Sequence, residues 1–136
     1  MAITVYTSGV FDLFNAGHLQ ALEWARKQGD ILIVGVLSDE DSRSYKRLPV
    51  IPYDQRSSIV QSLAIVDDAI AGPKFETEEF YRALSIDVHC QGDEIEGFYT
   101  VANRLGILRI LGRSSITEST EIIRRVIDRR GEFDHC

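Results

Sequence analysis

Short apolar runs alternate along the chain with segments in which apolar residues recur three or four positions apart. The runs predict strands and the spaced segments predict helices, because strand side chains alternate between faces and helical ones return about every 3.6 residues. The predicted strands cover 3–7, 31–37, 65–70, 87–91 and 107–111. The predicted helices are marked by Leu19, Leu22 and Ala25, by Ile59, Val60 and Leu63, by the run 75–84, and by Ile122, Ile123, Val126 and Ile127.

The run 31–37 (ILIVGVL) has the apolar character on both faces that is typical of a central parallel strand. Strands that alternate with helices imply right-handed crossovers and a parallel sheet covered on both sides. We therefore predict an α/β fold: a Rossmann-like three-layer α/β/α arrangement with a five-stranded parallel sheet, in one domain over 1–136. Ligands bind such sheets beyond the carboxyl ends of the strands, which directs attention to the first strand–helix turn.

The amino-acid composition excludes several classes of protein function. The 136 residues are 44% apolar and 26% charged, as in ordinary globular proteins, and the net charge of −6 argues against a protein that coats nucleic acid. No run approaches the roughly 18 apolar residues of a membrane span, and the start resembles no export signal. Cys90 and Cys136 are too far apart for a zinc or redox pair and suit a reducing compartment. We expect a cytoplasmic protein without a membrane partner or a metal site of its own.

The first turn, 7–18 (TSGVFDLFNAGH), lacks both the G-x-G-x-x-G dinucleotide motif and the G-x-x-x-x-G-K-[ST] phosphate loop. Gly17 and His18 instead open a helix, whose unpaired N–H groups and positive dipole end favour phosphate. Gly17 lets the backbone approach an anion closely, and His18 can donate to the same anion. The alternative is an ordinary loop glycine followed by a partly exposed histidine.

Several further segments share an order and spacing with one superfamily. They are TSGVFDLF (7–14), NAGH (15–18), GD (29–30), SDE (38–40), YKRLPV (45–50), Arg56, VDD (66–68), QGD (91–93) and RSSITESTEII (113–123). Together they resemble the nucleotidyltransferase superfamily with the H-x-G-H motif. The resemblance is strongest to the small cytidylyltransferases of the glycerol-3-phosphate and choline-phosphate type, and it runs through nearly the whole chain.

This resemblance implies an enzyme that moves a cytidylyl group from CTP, carried with Mg²⁺, to a phosphorylated small alcohol and releases pyrophosphate. The acceptor is of the glycerol-3-phosphate or the amino-alcohol phosphate type, and the resemblance also implies a homodimer. Two alternatives stay open. One is adenylyl transfer to a sugar phosphate, because Ser119–Ile123 also resembles heptose-phosphate adenylyltransferases. The other is a catalytically weak nucleotide-binding homologue.

By resemblance, His18 and Lys46 are the catalytic residues. His18 matches the second His of the motif, whereas Asn15 stands in place of the first and can donate a hydrogen bond but carries no charge. Lys46 matches the catalytic lysine loop of the choline- and ethanolamine-phosphate enzymes, with Arg47 as a second candidate. The alternative for Lys46 is a solvated surface lysine.

The predicted nucleotide-binding residues come from the first turn, the QGD segment and the last helix start. They are Ser8, Gly9, Val10, Phe11, Asn15, Gly17, His18, Asp93, Arg113, Thr117, Ser119 and Thr120. The segment 113–120 resembles R-T-E-G-I-S-T-T of the glycerol-3-phosphate enzyme, with Ile116 for its Gly and Glu118 for its Ser. Its hydroxyls either hold the outer phosphates or simply cap the helix.

The predicted substrate-binding residues are Asp12, Asp39, Lys46, Arg56 and Phe75. The carboxylates orient the base, the ribose or Mg²⁺, or else cap helices and turns. Phe75 and Glu78 stand where the glycerol-3-phosphate enzyme has a Trp and a Lys, and Ala64 replaces an Arg. An aromatic ring with a carboxylate favours a cationic head group; the alternative for Phe75 is a core position.

Overall fold

The computed structural model describes residues 1–92, 99–111 and 119–134. The strands in these ranges are β1 (Thr4–Gly9), β2 (Ile31–Val36), β3 (Asp68–Ala71), β4 (Val88–Gly92) and β5 (Leu108–Leu111). The helices are α1 (Ala16–Arg26), α2 (Asp39–Tyr45), α3 (Tyr53–Ser62), α4 (Glu78–Ala83), α5 (Thr100–Arg104), α6 (Ser119–Asp128) and α7 (Arg130–Phe133). None of the described helices is both long and apolar enough to cross a bilayer.

The described strands form one sheet in the order β3-β2-β1-β4-β5, with every neighbouring pair parallel. This arrangement confirms the predicted fold class. The chain moves outward from β1 through β2 to β3 and then returns to place β4 on the other side of β1. Such a reversal opens a crevice at the carboxyl ends of the two central strands.

Residue alternation along β1 explains why the sheet is covered on both faces. Val5 is fully buried in a core shared with Leu22 of α1 and Val60 of α3. Its neighbour Tyr6 is fully buried on the opposite face, in a second core that includes Tyr81 of α4 and residues of α5. Because successive strand side chains point to opposite faces, one strand feeds both cores and the three predicted layers follow.

Two elements begin three residues later than predicted. The helix expected over 75–84 begins only at Glu78, because the Thr77 side chain accepts a hydrogen bond from the Phe80 N–H (3.1 Å) and caps the helix there. The strand expected over 65–70 begins at Asp68, because the preceding residues form a turn closed by Val66 N to Leu63 O (3.1 Å). The first difference leaves 75–77 in the loop that follows β3.

The apolar pattern does not predict α2, α5 or α7. In α2 the buried position is Ser42, so the helix has no apolar stripe to detect. Its capping signal is present, however: Ser38 lies three residues before Asp41, whose N–H it accepts at 3.0 Å. The helices α5 and α7 have 5 and 4 residues, too few for a periodic pattern.

Candidate functional site

A cavity of about 570 Å³ opens at the carboxyl ends of β1 and β4, within the size range of small-molecule sites. The first turns of α1 and α6, the end of α2 and the loop after β3 complete its walls. The predicted site residues that line it are Ser8, Gly9, Val10, Phe11, Asp12, Asn15, Gly17, His18, Lys46, Phe75, Ser119 and Thr120. Asp93, Arg113 and Thr117 lie outside the described residues.

His18 is held as a neutral hydrogen-bond donor. Its Nδ1 accepts the backbone N–H of Asn15 at 3.2 Å, and its ring packs against Phe11 and Phe14. Burial lowers the pKa of His18 to about 4, although the nearby Asp12 carboxylate acts in the opposite direction. With Nδ1 accepting and the ring neutral, the proton resides on Nε2. The local fold therefore fixes the tautomer that can donate to an anion in the cavity.

Asn15 joins the first turn to the start of α6. Its Oδ1 accepts the Gly17 N–H (2.9 Å), while its Nδ2 donates to Leu13 O (3.0 Å) and to Ser119 Oγ (3.4 Å). The Ser119 hydroxyl in turn donates to the backbone carbonyl of Asp12 (2.5 Å). The N-termini of α1 and α6 are thereby fastened together at one wall of the cavity.

Asp12 positions the loop that follows α2. Its Oδ2 accepts from Arg47 Nη1 (2.6 Å) and Val50 N (2.8 Å), and its Oδ1 accepts from Ile51 N (2.8 Å). Burial alone would raise the pKa of Asp12, but these donors outweigh burial and lower the pKa. Because its oxygens are engaged and the residue is only 3% exposed, Asp12 has a positioning role, and its contact with substrate stays a prediction.

Two lysines bring positive charge to the cavity wall. Lys46 is exposed at the end of α2, and the ion pairs of the described residues do not include it. Arg47, the other candidate for this role, is committed to Asp12. Lys74, which was not among the predicted site residues, lines the same cavity, and its Nζ lies 5.7 Å from the Phe75 ring centroid.

The predictions that Arg56 and Asp39 contact substrate are corrected, because the structure does not bring either residue to the cavity. Arg56 has no exposed surface, and neither residue lines the cavity. The Arg56 guanidinium donates to the carbonyls of Ile51, Val10 and Leu37, and its Nη2 lies 2.7 Å from Asp39 Oδ1. Arg56 therefore ties the first turn, the end of β2 and the loop before α3 into one unit.

Glu76 is a cavity carboxylate that sequence reasoning missed. It is only 7% exposed, lines the cavity, and has its pKa raised by burial to about 7, although the Ser8 side chain and its own backbone lower the pKa. The helix-capping pattern of Thr77 with two acidic residues after it is the signal that would have left Glu76 outside α4. Glu78, predicted to act with Phe75 on a cationic head group, instead pairs with Arg82 and Arg104 away from the cavity.

A buried polar chain supports the cavity floor. Tyr81 Oη and His89 Nδ1 are 2.7 Å apart, and His89 Nε2 lies 3.0 Å from Gln91 Oε1. Because the amide oxygen can only accept, His89 carries its proton on Nε2 and Tyr81 donates to Nδ1. Gln91 Oε1 also accepts the Ser8 N–H at 2.9 Å, so the chain fixes Ser8 at the end of β1. Burial lowers the pKa of His89 to about 4.

Left-handed backbone occurs at the cavity wall. Phe11 and Tyr99 line the cavity with φ of 55° and 56°, and Leu13 lies between Asp12 and Phe14 with φ of 50°. Bulky residues in this region carry strain of about 1–3 kcal/mol each, and such strain concentrates at functional sites. The turn geometry thus agrees with the hydrogen bonding in locating the functional site here.

The comparisons with known proteins point in the same direction. A family model described as cytidylyltransferase-like matches residues 6–125. The chain is 34% identical to an ethanolamine-phosphate cytidylyltransferase from Arabidopsis thaliana, over 92% of the chain and 32% of that protein. It is 34% identical to the enzyme of the same name from Dictyostelium discoideum, over 96% of the chain and 39% of that protein. It is also 33% identical to the bifunctional protein HldE from Pseudomonas entomophila, over 90% of the chain and 27% of that protein.

The fold is similar to that of a solved structure over most of the chain. The lipopolysaccharide core biosynthesis protein from Thermoplasma volcanium superposes with a TM-score of 0.71 and 27% identity, covering 86% of this chain and all of that one. The chain spans 27–39% of the length of the curated relatives named above, so the prediction of a single domain stays a prediction. The family match extends from the middle of β1 into α6 and includes every described wall of the cavity, and the chain belongs to the cytidylyltransferase-like family of nucleotidyltransferases.

Proposed function

We propose that this chain transfers a cytidylyl group from CTP to a phosphorylated amino alcohol and releases pyrophosphate. The observation that carries the proposal is the meeting of the α1 and α6 N-termini with Lys46 at one cavity that also contains neutral His18. Two helix N-termini supply unpaired N–H groups and positive dipole ends, which suit a polyphosphate. The relatives named ethanolamine-phosphate cytidylyltransferase support the choice of base and acceptor.

In the proposed reaction an oxygen of the acceptor phosphate attacks the α-phosphorus of CTP. A bond forms between that oxygen and the α-phosphorus, the bond to the oxygen bridging to the β-phosphate breaks, and pyrophosphate leaves with the electron pair. His18 Nε2–H donates to an α-phosphate oxygen, where charge accumulates, and the Lys46 ammonium neutralises the phosphates. The protein acts by positioning and electrostatic stabilisation, which dominate phosphoryl transfer.

Mg²⁺ enters this proposal as part of the CTP substrate. Within the described ranges, no group of three or more His, Cys, Asp or Glu side chains is arranged to hold a metal ion. Mg²⁺ commonly binds substrate phosphates and water with only one or two carboxylates, so the ion can arrive with the nucleotide.

The experiment that tests the proposal is a pyrophosphate-release assay with Mg²⁺, CTP and separate acceptors. The acceptors are phosphoethanolamine, phosphocholine and glycerol 3-phosphate, with a reaction lacking acceptor as the control. We expect release that depends on an amino-alcohol phosphate and a cytidine diphosphate product. Binding of CTP without pyrophosphate release for any acceptor would favour a catalytically weak homologue, and Asn15→His then tests whether the missing motif histidine is the cause.

A second candidate function is adenylyl transfer to a sugar phosphate. The segment Ser119–Ile123 favours it, because it resembles heptose-phosphate adenylyltransferases, and similarity to HldE extends over 90% of the chain. The same assay with ATP in place of CTP and a sugar 1-phosphate as acceptor separates the two candidates. Faster turnover with ATP and the sugar phosphate would replace our first proposal by this one.

The expected homodimer is part of the proposal. Support comes from α6, whose Val126 and Ile127 are 50% and 64% exposed although they belong to the apolar stripe of the helix. Sedimentation equilibrium measures the oligomeric state, and we expect the mass of a dimer. Charged replacements of both residues would then shift the mass toward the monomer if α6 forms the contact.

A further inference from the structure

Glu76 differs in its surroundings from Asp12, the other buried carboxylate among the described residues. It lies in the loop between β3 and α4, is 7% exposed and lines the cavity. The ion pairs formed within the described residues do not include Glu76. The cation nearest in sequence, Lys74, faces the Phe75 ring instead. A buried carboxylate without a cationic partner costs stability, so its retention in a ligand cavity calls for a ligand that provides the partner.

Three tyrosines lie near enough to this carboxylate for its charge to act on their hydroxyl groups. Its charge is felt by Tyr6, Tyr81 and Tyr99, and burial followed by this charge raises the pKa of Tyr99 to about 12. The tyrosine hydroxyls therefore stay protonated and neutral at physiological pH. Tyr99 lines the cavity together with Phe75. A carboxylate beside neutral aromatic rings attracts an ammonium group by Coulomb and cation–π interactions.

The cavity also presents the opposite charge. Lys46 and Lys74 line it, and the α1 and α6 N-termini form one of its walls. A ligand that is anionic at one end and cationic at the other would satisfy both regions. A phosphorylated polyol would satisfy only the basic region and would leave Glu76 without a cationic partner.

We propose that Glu76 binds the ammonium group of the phosphorylated amino alcohol and thereby selects that acceptor over a phosphorylated polyol. This inference rests on the proposed function and adds the residue that determines specificity. Glu76 is then a binding residue and takes no part in bond making or breaking. The aromatic residues Tyr99 and Phe75 complete the ammonium subsite.

The test compares acceptors in the pyrophosphate-release assay at saturating CTP. Wild type, Glu76→Gln and the control Glu79→Gln, an exposed carboxylate in the first turn of α4, are each assayed with two acceptors. These are phosphoethanolamine and its uncharged N-acetyl derivative. For phosphoethanolamine we expect Glu76→Gln to lower kcat/KM by at least about tenfold, mainly through KM, because a charge-assisted contact is lost. The N-acetyl derivative should react at the same rate with wild type and with Glu76→Gln. Glu79→Gln should have the kcat/KM of wild type for each acceptor.

Two results would overturn the assignment: an equal loss for both acceptors, which indicates a structural role, or no loss for either. Absence of turnover by wild type with every acceptor would instead refute the proposed function. In that case calorimetric binding of phosphoethanolamine decides the assignment of Glu76 on its own. Binding by wild type that is lost in Glu76→Gln supports the ammonium subsite, whereas equal binding or no binding rejects it.

Discussion

Two buried carboxylates line the same cavity and have opposite electrostatics. Asp12 is 3% exposed and accepts three hydrogen bonds from Arg47, Val50 and Ile51, and its pKa is lowered. Glu76 is 7% exposed and has a pKa raised by burial to about 7. Burial is similar, so the difference comes from the donors each carboxylate meets. The ion pair with Arg47 and the backbone donors make Asp12 part of the scaffold. Glu76 forms no ion pair among the described residues, and we therefore treat it as a group available to a cationic ligand.

The other polar groups of the site also divide into those paired inside the protein and those available to a ligand. Arg56 donates to three carbonyls and a carboxylate and belongs to the scaffold. The ring of His18 is anchored through Nδ1, which leaves Nε2–H for a ligand. Substitutions in the scaffold should therefore cost mainly stability, and substitutions of the ligand-facing groups should cost mainly activity.

The largest expected effect belongs to His18→Ala. Removing a preorganised donor to the charge that develops at the α-phosphate should lower kcat by about 10²–10³-fold. The fold should persist, because the losses inside the protein are limited to one hydrogen bond, from the Asn15 N–H, and the ring contacts with Phe11 and Phe14. Steady-state pyrophosphate release measures the rate, with Glu23→Ala on the exposed side of the same helix as control. A kcat near wild type would remove His18 from the proposed mechanism.

Arg56→Lys should be the most destabilising change in the scaffold. Lysine retains the charge but lacks the planar fork that reaches several acceptors at once, so buried carbonyls are left unpaired. We expect a loss of about 3 kcal/mol in the free energy of unfolding, measured by urea denaturation. The exposed Arg43 provides the matched control, and Arg43→Lys should stay within about 0.5 kcal/mol of wild type.

Asp12→Asn should lower stability by about 1–3 kcal/mol at pH 7, because the Arg47 pair and the charge-assisted bonds to the loop are weakened. The lowered pKa of Asp12 determines how the stability difference between wild type and variant depends on pH. The extra stability of the wild type is present above the ordinary Asp pKa of 3.8 and disappears as pH falls through the native-state value. Urea unfolding at several pH values measures the difference; a variant as stable as wild type at pH 7 would contradict the scaffold role.

Glu76→Gln should raise the stability of the protein at high pH, whereas Asp12→Asn should lower stability. The native-state pKa of about 7 lies above the ordinary 4.5, so the folded protein binds the proton more tightly and wild type loses stability as pH rises through that interval. The variant should equal wild type below pH 4.5 and exceed its stability by about 1–3 kcal/mol at pH 8, since each pH unit of the interval corresponds to about 1.4 kcal/mol. Equal stability at both pH values would show that Glu76 is not strained by burial.

The sheet and much of the cavity wall were predictable from the sequence for identifiable reasons. The run 31–37 is apolar on both faces, which only a covered central strand tolerates, and the first turn carries its chemistry within twelve consecutive residues. Lys46 was placed correctly at the cavity because the loop motif around it is local. Such features depend on neighbours in the chain and not on distant contacts.

The role of each charged side chain was less predictable. Arg56 and Asp39 look like ligand-binding residues in the sequence, yet they pair with each other. Arg56 also donates to the carbonyls of Leu37 and Val10, which lie 19 and 46 residues away in the chain. Glu76 was not predicted as a site residue because a helix was expected from residue 75. The Thr77 cap starts the helix later and leaves Glu76 in the loop. Whether a charge is already paired is a property of tertiary structure, and neither spacing nor composition records it.

The most direct test of the account is a crystal structure of the protein with CTP and Mg²⁺. We predict that the triphosphate lies between the N-termini of α1 and α6, with His18 Nε2 within hydrogen-bonding distance of an α-phosphate oxygen and Glu76 facing an unfilled acceptor space. A triphosphate bound elsewhere, or one that contacts Glu76 through its own cation, would contradict the account.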